Sequence, residues 1–333
     1  MVFWLPTGLI HGAHAHMALA DGQGHSLAGR NDVAFGNLTA AGGKAANQEI
    51  IDKFSRARPN VCGLSPNRTA IMAILNITPD SFSDGGKHFG QHAALNALDE
   101  MADAGVDVVD IGGESTRPGA TELTWQEEWG RIEEAVKHAV GLGPKVSVDT
   151  RKAPVMEKAL EAGVDIINDV SALEFDADAL PLLAGQDVDL VLMHHRGTPQ
   201  NMQELTNYND LIPEIMGHLQ GRVEACVAAG HDRARIMIDP GIGFAKSLEQ
   251  NYDILRALPA FHGLCQPILL GVSRKSLFKT LPFAGHTEGR LPASLAAQCL
   301  AIQQAVQMLR VHDWRECLQM RAFMEHLWFA STS

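Results

Sequence analysis

The segment Ile71-Met-Ala-Ile-Leu75 is a continuous apolar run, and the polar residue Asn76 follows it directly. A strand that is buried on both faces reads as such a run, whereas a strand with one wet face alternates between apolar and polar residues. We therefore predict a buried β-strand here, covered by helices on both faces. A polar side chain then stands at its carboxyl end.

Seven further apolar runs end in a polar residue in the same way. The eight predicted strand ends are Asn76, Asp110, Asp149, Asn168, His195, Asp239, Ser273 and Arg310. Successive ends are 19 to 44 residues apart, and each interval leaves room for a helix and the return to a parallel neighbour. Eight such units predict an α/β fold, a (β/α)8 TIM barrel, with its active site at the carboxyl ends of the strands. A sequence does not give the order of parallel strands, so a doubly wound sheet remains the alternative.

The segments between the strands carry helical patterns. Apolar residues recur at helical spacing from Ile132 to Val140 and from Ile212 to Val227, which predicts helices that pack one face on the barrel wall. Gly105, Gly163 and Gly230 stand where helices should stop, because glycine adopts the left-handed cap conformation without steric cost. The glycine positions and the periodicity thus predict the same helices.

The length of the chain fits one barrel preceded by an extension. From about Thr69 to the end there are roughly 265 residues, close to the ~250 typical of this barrel. We therefore predict an N-terminal extension at residues 1–66, a mobile polar tail with one helix near 48–56, and a catalytic barrel at 67–333. Residues 59–66 are interpreted as a linker, and deletion of residues 1–58 is expected to leave a folded barrel.

Composition excludes several kinds of partner. The net charge is -12, and no long basic run occurs, which argues against nucleic acid or an anionic membrane as a partner. No apolar run is long enough to span a bilayer. No lysine or arginine precedes Arg30, whereas a secretory signal requires a basic start. The five cysteines form no CxxC pair and no zinc-like spacing, which fits a reducing compartment, the cytoplasm.

The predicted strand ends lie within longer ordered motifs. These are Asn76-Ile-Thr-Pro-Asp-Ser-Phe-Ser-Asp-Gly-Gly86, Asp110-Ile-Gly-Gly-Glu-Ser-Thr-Arg-Pro-Gly119, Ser147-Val-Asp-Thr150, Ile167-Asn-Asp-Val-Ser171, Asp239-Pro-Gly-Ile-Gly-Phe244, Ser273-Arg-Lys-Ser276 and Arg310-Val-His-Asp313. Together, from Ile71 to about Asp313, they resemble the dihydropteroate synthases, pterin-binding barrel enzymes of folate synthesis. The resemblance implies an enzyme that joins 6-hydroxymethyl-7,8-dihydropterin pyrophosphate to p-aminobenzoate and releases pyrophosphate.

Four of these residues suit a pterin ring. The ring presents an edge with two N–H donors, which a carboxylate can accept in bidentate fashion, and its other heteroatoms need amide or ammonium partners. Asp149, Asn168, Asp239 and Lys275 supply that set, and the resemblance places them in the pterin pocket. Taken alone, each aspartate could instead cap the helix that follows it.

The leaving pyrophosphate needs a site that accepts growing negative charge. Arg310 offers several donors to phosphate oxygens, His312 a ring N–H and Thr116 a hydroxyl. Asn76 is a plausible oxygen ligand for Mg²⁺, an ion that relies on substrate phosphates and waters more than on protein groups. We thus predict pyrophosphate contacts at all four residues, Mg²⁺ as the cofactor, and Asn76 as its ligand. The residues predicted to act in catalysis are Lys275, Arg310, His312 and Asp149.

The second substrate needs a carboxylate site. Ser276 is expected to open the helix after the seventh strand, and a helix N-terminus binds carboxylates readily. The loops are numbered here by the predicted barrel strand that each follows. By resemblance, Phe82 in the first loop and Thr116, Arg117 and Pro118 in the second loop complete the p-aminobenzoate pocket.

The fifth and sixth loops depart from the family pattern. His195 and Arg196 stand where an apolar or amide pair is expected, and Ala245 replaces a glycine. His194 either faces the site or is packed in the core. His195 could therefore alter the wall of the pterin pocket.

Two rival functions remain open at this stage. A pterin-barrel methyltransferase, which carries a methyl group from a folate to a corrinoid protein, would share the aspartate and asparagine contacts. A non-catalytic pterin-binding paralogue would keep the barrel and lose the reaction. Family analogy further suggests sulfonamide inhibition and a homodimer, which an exposed apolar patch around Leu295, Ile302 and Phe323 would support.

Overall fold

The computed structural model describes residues 3–40, 43–77, 86–115 and 120–329. Within these residues the strands are β1 (Trp4–His11), β2 (His25–Ser26), β3 (Val33–Ala40), β4 (Ala70–Asn76), β5 (Val108–Gly112), β6 (Lys145–Asp149), β7 (Ile166–Asp169), β8 (Asp189–Met193), β9 (Ile236–Asp239), β10 (Leu269–Leu270) and β11 (Met308–Val311). The α-helices are α1 (Gly12–Ala20), α2 (Gln48–Ser55), α3 (Gly86–Asp103), α4 (Trp125–Ala139), α5 (Ala153–Ala162), α6 (Ala179–Leu183), α7 (Leu211–Ala228), α8 (Leu248–Ala257), α9 (Leu291–Gln303) and α10 (Trp314–Phe329).

Strands β4 to β11 form one parallel sheet that closes on itself. Their order is β10-β11-β4-β5-β6-β7-β8-β9, and a parallel bridge between Ile238 and Ile268 joins the two ends. With helices between successive strands, this is a (β/α)8 TIM barrel. The predicted fold class is confirmed, and the doubly wound alternative is excluded.

The predicted helices agree with the structure in their buried faces. In α4 the side chains of Ile132, Ala135, Val136 and Ala139 are buried, while Val140, just beyond the end of the helix, is 41% exposed. Helix α5 ends at Gly163, whose φ of 89° is the left-handed cap conformation. Four of the five periodic residues of this helix therefore face the barrel wall as predicted, and Val140 does not, because the helix ends before it.

The N-terminal extension is folded, so the prediction of a mobile polar tail was wrong. Strands β1, β3 and β2 form an antiparallel sheet, and α2 corresponds to the helix expected near 48–56. Leu27, Val33 and Phe35 are fully buried and Phe54 is 2% exposed, all in the main hydrophobic core. We call residues 3–58 the meander.

Specific contacts join the meander to the last helices of the barrel. The ring of His11 stacks on Trp328 at 5.3 Å between centroids, and its Nε2 lies 2.9 Å from the carbonyl oxygen of Gln303. A Cβ on Gly12, which has a positive φ, would come within 2.9 Å of the Trp328 carbonyl oxygen, so this approach requires glycine. Arg58 donates to the carbonyl of His262 at 2.7 Å. The meander is therefore part of the packed structure.

Residues 59–66, interpreted as a linker, close the floor of the barrel. The backbone N–H of Val61 donates to the carbonyl of Leu64 at 3.2 Å, and that of Cys62 donates to Asp189 Oδ2 at 2.6 Å. Val61 is 7% exposed and packs among apolar side chains inside the barrel. The linker interpretation was wrong because Val61 is buried under the strands and the partly buried Cys62 and Leu64 pack against the same apolar cluster.

No helix within the described part of the chain combines the length and apolar character needed to cross a membrane.

Candidate active site

The inward-facing side chains of the barrel form an apolar layer with a polar layer above it. The apolar layer comprises Val61, Ala70, Met72, Val108, Ile166, Val191, Met237, Leu269 and Met308. Because side chains alternate along a strand, the residue two positions further along also points inward. On four strands that next inward residue is charged or an amide, which builds a polar layer toward the carboxyl ends. These residues are Asp110, Asn168, Asp239 and Arg310.

Arg310 lies at the centre of this polar layer. Its Nε donates to Asp110 Oδ2 at 2.6 Å, and its Nη2 donates to Asp149 Oδ2 at 2.6 Å. Asp110 is fully buried and also accepts from Ser147 Oγ at 2.6 Å and from Asn168 Nδ2 at 3.3 Å. One hydrogen-bonded network therefore fixes three of the predicted site residues: Asp149, Asn168 and Arg310.

The charges in this network do not balance, because two carboxylates share one guanidinium. Burial raises the pKa of Asp149 to about 7; Arg310 opposes the rise and Asp110 adds to it. Burial lowers the pKa of Arg310, but the two carboxylates outweigh it, so its pKa lies above the ordinary value. Arg310 is therefore permanently charged, while Asp149 gains or loses a proton near neutral pH.

Asp239 occupies the same layer on the neighbouring side of the barrel. Its Oδ1 accepts from the backbone N–H of Gly241 at 2.7 Å. A Cβ on Gly271 would lie 3.8 Å from Asp239 Oδ2 and 4.0 Å from Arg310 Cβ, so this glycine lies between the two site residues. Burial raises the pKa of Asp239; the hydrogen bond from the Gly241 N–H opposes that rise most, followed by the cations Lys275, Lys246 and Arg310.

Lys275 reaches the same region from the loop after β10. Its Nζ lies 4.4 Å from the ring centroid of Phe244, and a Cβ on Gly243 would lie 3.4 Å from its Cδ. Its attraction for Asp239 is among the causes that oppose the rise in the pKa of that carboxyl. Asp239, Lys275 and Arg310 are thus gathered at one mouth of the barrel.

Asn76 completes a row of residues at the level of Asp149. Asn76 pairs with Gly112, Gly112 with Asp149, and Asp149 with Asn168 across neighbouring strands. A Cβ on Gly112 would lie 3.3 Å from Asn76 Oδ1 and 3.5 Å from Asp149 Cβ. Among the described residues, no group of three or more histidine, cysteine, aspartate or glutamate side chains could hold a metal ion. The amide oxygen of Asn76 suits Mg²⁺ as a single protein ligand. The phosphate oxygens of a substrate would supply further ligands.

His312 and Ser276 lie in loops at the rim of the mouth. The backbone N–H of His312 donates to Ser273 Oγ at 3.2 Å, and its ring Nδ1 lies 3.4 Å from the same oxygen. Arg274 pairs with Asp313, with Nε 3.0 Å from Oδ2, and ties the seventh loop to the eighth. Ser276 begins a 3-10 helix of 3 residues rather than the expected α-helix. The helix-terminus argument for a carboxylate site was therefore wrong, because three residues give no α-helical dipole.

The ends of the second loop are held by Glu114. Its Oε1 accepts from the backbone N–H of Leu123 at 2.8 Å, and its Oε2 accepts from Lys152 Nζ at 2.8 Å. Lys152 also donates to the fully buried Glu128 at 2.6 Å. The predicted substrate contacts of this loop, Thr116, Arg117 and Pro118, and Phe82 of the first loop lie outside the described residues.

The fifth loop resolves the alternatives for His194. It is packed, with 1% exposure, and its Nδ1 lies 3.0 Å from Lys246 Nζ. His195 is partly buried, and burial lowers its pKa to about 4, so it is neutral at pH 7. Arg196 donates to Glu214 at 2.6 Å.

Two residues of the site were assigned no role from the sequence, although each carries a signal. Asp110 was identified from the sequence only as a strand end. It lies two residues after the buried Val108, so its side chain points to the same side of the strand, and this spacing would have placed it in the polar layer. Lys246 lies two residues after the motif that ends at Phe244 and is 3% exposed, a rare environment for a lysine. Ala245, which replaces a glycine, has a φ of 51°, so the loop keeps the left-handed turn despite the substitution.

The comparisons agree with the geometry of the mouth. Residues 72–312 match the family described as pterin binding enzyme. A dihydropteroate synthase of Neisseria meningitidis serogroup C is 43% identical over 252 residues, which cover 74% of this chain and 88% of the relative.

Two solved structures are similar over most of the chain. The dihydropteroate synthase of Xanthomonas albilineans with 4-aminobenzoic acid has a TM-score of 0.75 and 38% identity, covering 81% of this chain and 97% of that one. The Yersinia pestis dihydropteroate synthase with a sulfonamide drug has a TM-score of 0.74 and 40% identity. The match covers 79% of this chain and 96% of that one.

Proposed function

Because this chain belongs to the pterin binding enzyme family, we propose that it catalyses the dihydropteroate synthase reaction. It is then a transferase of folate biosynthesis that joins 6-hydroxymethyl-7,8-dihydropterin pyrophosphate to p-aminobenzoate. The products are 7,8-dihydropteroate and pyrophosphate. The observation that carries this proposal is the barrel mouth, where the arginine, amide and buried carboxylates of the polar layer lie together with Lys275.

The polar layer suits a flat heterocycle with mixed donors and acceptors. Asp239 accepts from the two-donor edge of the pterin, while Asn168 and Lys275 bind its other heteroatoms. Asp149, whose pKa burial raises to about 7, accepts a hydrogen bond when ionised and donates one when protonated. The apolar layer beneath closes the barrel, so the ring enters only from the mouth.

The reaction breaks the bond between the pterin methylene carbon and pyrophosphate. Electron release from the ring stabilises the cation-like carbon, and Arg310 and His312 receive the charge that grows on the leaving group. Asn76 would hold a Mg²⁺ ion through its amide oxygen, and the bound ion would supply further positive charge to the phosphate oxygens. The amine of p-aminobenzoate then forms the new carbon–nitrogen bond and loses a proton.

The family resemblance implies a p-aminobenzoate pocket made of Phe82, Thr116, Arg117 and Pro118, with Ser276 contributing its hydroxyl rather than a helix terminus. The Xanthomonas relative binds 4-aminobenzoic acid, and the Yersinia relative binds a sulfonamide. We propose the same second substrate for this chain, with sulfonamides as competitors for its pocket.

The proposed assembly is a homodimer in the cytoplasm. Phe323 and Leu327 on α10 are 64% and 62% exposed, and Leu300 on α9 is 37% exposed. Ile302, expected in this patch, is only 3% exposed, so the patch lies toward Phe323 instead. All five cysteines are unpaired, which fits a reducing compartment.

Pyrophosphate release tests the proposed reaction. With Mg²⁺ and both substrates we expect turnover, which omission of p-aminobenzoate abolishes. Pterin binding without turnover would favour the non-catalytic paralogue, and methyl transfer from a methylated folate to a corrinoid protein would favour the methyltransferase.

A further inference from the structure

Lys246 is a buried lysine that the proposed mechanism does not use. It lies in the loop between β9 and α8, and its side chain is 3% exposed. Its Nζ donates to the carbonyl of Phe244 at 2.9 Å and lies 3.0 Å from His194 Nδ1. Burial and then the neighbouring Lys246 lower the pKa of His194 far below its ordinary value. The ammonium is therefore held by two neutral acceptors, an unusual environment for a buried charge.

The ammonium lies directly behind the backbone that binds Asp239. A Cβ on Gly241 would lie 3.3 Å from Lys246 Nζ, and the Gly241 N–H is the donor to Asp239 Oδ1 at 2.7 Å. On the other side, the N–H of His194 donates to the carbonyl of Asp239 at 2.9 Å. Lys246 thus contacts His194 on one side of Asp239 and lies beside Gly241 on the other.

The rest of the sixth loop is fixed by neutral contacts. Tyr208 donates its hydroxyl to the carbonyl of Ala245 at 3.0 Å. Asn251 accepts from the Gly243 N–H at 2.7 Å. These neutral contacts hold the backbone of the loop in place. The positive charge of Lys246 can therefore be removed while they still hold the loop.

The charged surroundings explain why Lys246 and Asp239 affect each other. Burial lowers the pKa of Lys246 to about 7; Asp239 opposes this effect, and the cations Lys275 and Arg196 add to it. The titratable groups around the ammonium are Asp239 on β9, His194 after β8, His195, His218 on α7, Arg196 and Lys275. Asp239 is the acidic group among them.

We propose that Lys246 is a positioning residue for the proposed pterin site. It lies against Gly241 and His194 on the two sides of Asp239 and, in the protonated form that prevails below pH 7, places a positive charge behind that carboxyl group, so that Asp239 meets the pterin as a carboxylate. This inference rests on the proposed function, because it assigns Lys246 to the same pocket.

The test is the pH dependence of 6-hydroxymethylpterin binding, followed by calorimetry between pH 5 and 8. Affinity falls at low pH as Asp239 takes a proton, and loss of the buried cation raises the pKa of Asp239. In Lys246→Met we therefore expect the midpoint of this fall to move up by about one pH unit, with about 10-fold weaker binding at the acid end. The comparison is repeated in an Asp149→Asn background, which removes the other titrating carboxyl of the pocket.

Two control variants separate charge from structure. Tyr208→Phe removes a contact of the sixth loop but keeps the ammonium, so we expect weaker binding with an unmoved midpoint. Lys158→Met removes a surface lysine that pairs with Glu161, and we expect no change in binding. If Lys246→Met does not fold, Lys246→Gln removes the charge and keeps a hydrogen-bond donor.

The outcomes distinguish this inference from the proposed function. An upward shift in the charge-removing variant, with an unmoved midpoint in Tyr208→Phe, supports the inference. An unmoved midpoint in both overturns it, even if binding weakens, because a merely structural lysine would behave in that way. Failure of the unmutated chain to bind the pterin at any pH contradicts the proposed function itself.

Discussion

The barrel mouth and the meander bury opposite kinds of groups. At the mouth the fold buries charge: Asp110 is fully buried, and Asp149 is 8% exposed. In the meander it buries hydrocarbon, with Leu27, Val33 and Phe35 fully buried. Burying charge costs free energy unless it is paired, whereas burying apolar surface stabilises the fold. The meander and the apolar core therefore stabilise a fold whose mouth is organised for binding.

The largest expected effect is that of deleting residues 1–58. The deletion removes the buried Leu27, Val33, Phe35 and Phe54 and exposes the surface of Trp328, so we now expect a loss above about 5 kcal/mol in the free energy of unfolding. Circular dichroism and size-exclusion chromatography should show an unfolded or aggregated chain. This reverses the expectation from sequence.

Phe35→Ala provides the matched control for that deletion. We expect it to lower the free energy of unfolding by about 3 to 5 kcal/mol without changing kcat/KM of the folded fraction. A truncated chain that is soluble, folded and fully active would refute the structural role of the meander.

The second effect concerns catalysis. Arg310→Ala and Lys275→Ala should each lower kcat/KM at least ~100-fold, because each removes a cation that stabilises charge in the transition state. Steady-state kinetics at saturating Mg²⁺ measure this loss, with Lys158→Met as a surface control. Near wild-type kinetics in both variants would contradict the proposed site.

The third effect is a pH dependence of stability at the mouth. The folded pKa of Asp149, raised by burial to about 7, exceeds its unfolded value near 3.9. Its contribution to stability is present below the unfolded pKa and is lost as pH rises toward 7. Relative to Asp149→Asn, the unmutated chain should lose roughly 1.4 kcal/mol per pH unit across that window. Urea unfolding of the unmutated chain and of Asp149→Asn at pH 5, 6, 7 and 8 gives the difference in their free energies of unfolding. A difference that stays constant with pH would show that Asp149 titrates normally.

The smallest effect lies in the sixth loop. Ala245 has a φ of 51°, a left-handed conformation that glycine adopts more easily. Ala245→Gly should therefore raise the free energy of unfolding by about 0.5 to 1 kcal/mol. Thermal unfolding measures the change, and a destabilised variant would show that the methyl group contributes packing that outweighs the strain.

The sequence predicted the mouth better than the meander for a physical reason. A buried parallel strand must be apolar throughout, so its polar end, such as Asn168 or Asp239, is visible in the sequence. The meander depends on contacts between distant segments, such as His11 with Trp328, that no local pattern encodes. Pro6 and Gly8 within β1 also weaken the strand signal.

The same contrast explains the misreadings within the site. Asp110 was recognisable once the inward side of its strand was known, because side chains alternate along it. Lys246 and the packing of His194 depend on two loops meeting, which the order of residues does not reveal. Ser276 was misread because a three-residue 3-10 helix and the start of an α-helix share the same local sequence signals.

A crystal structure of the chain soaked with the pterin pyrophosphate tests the central proposal most directly. The proposal predicts the ring within about 3 Å of Asp239, Asn168 and Lys275, with the pyrophosphate against Arg310. A ring bound on another face, or bound at the mouth with none of these contacts, would contradict it.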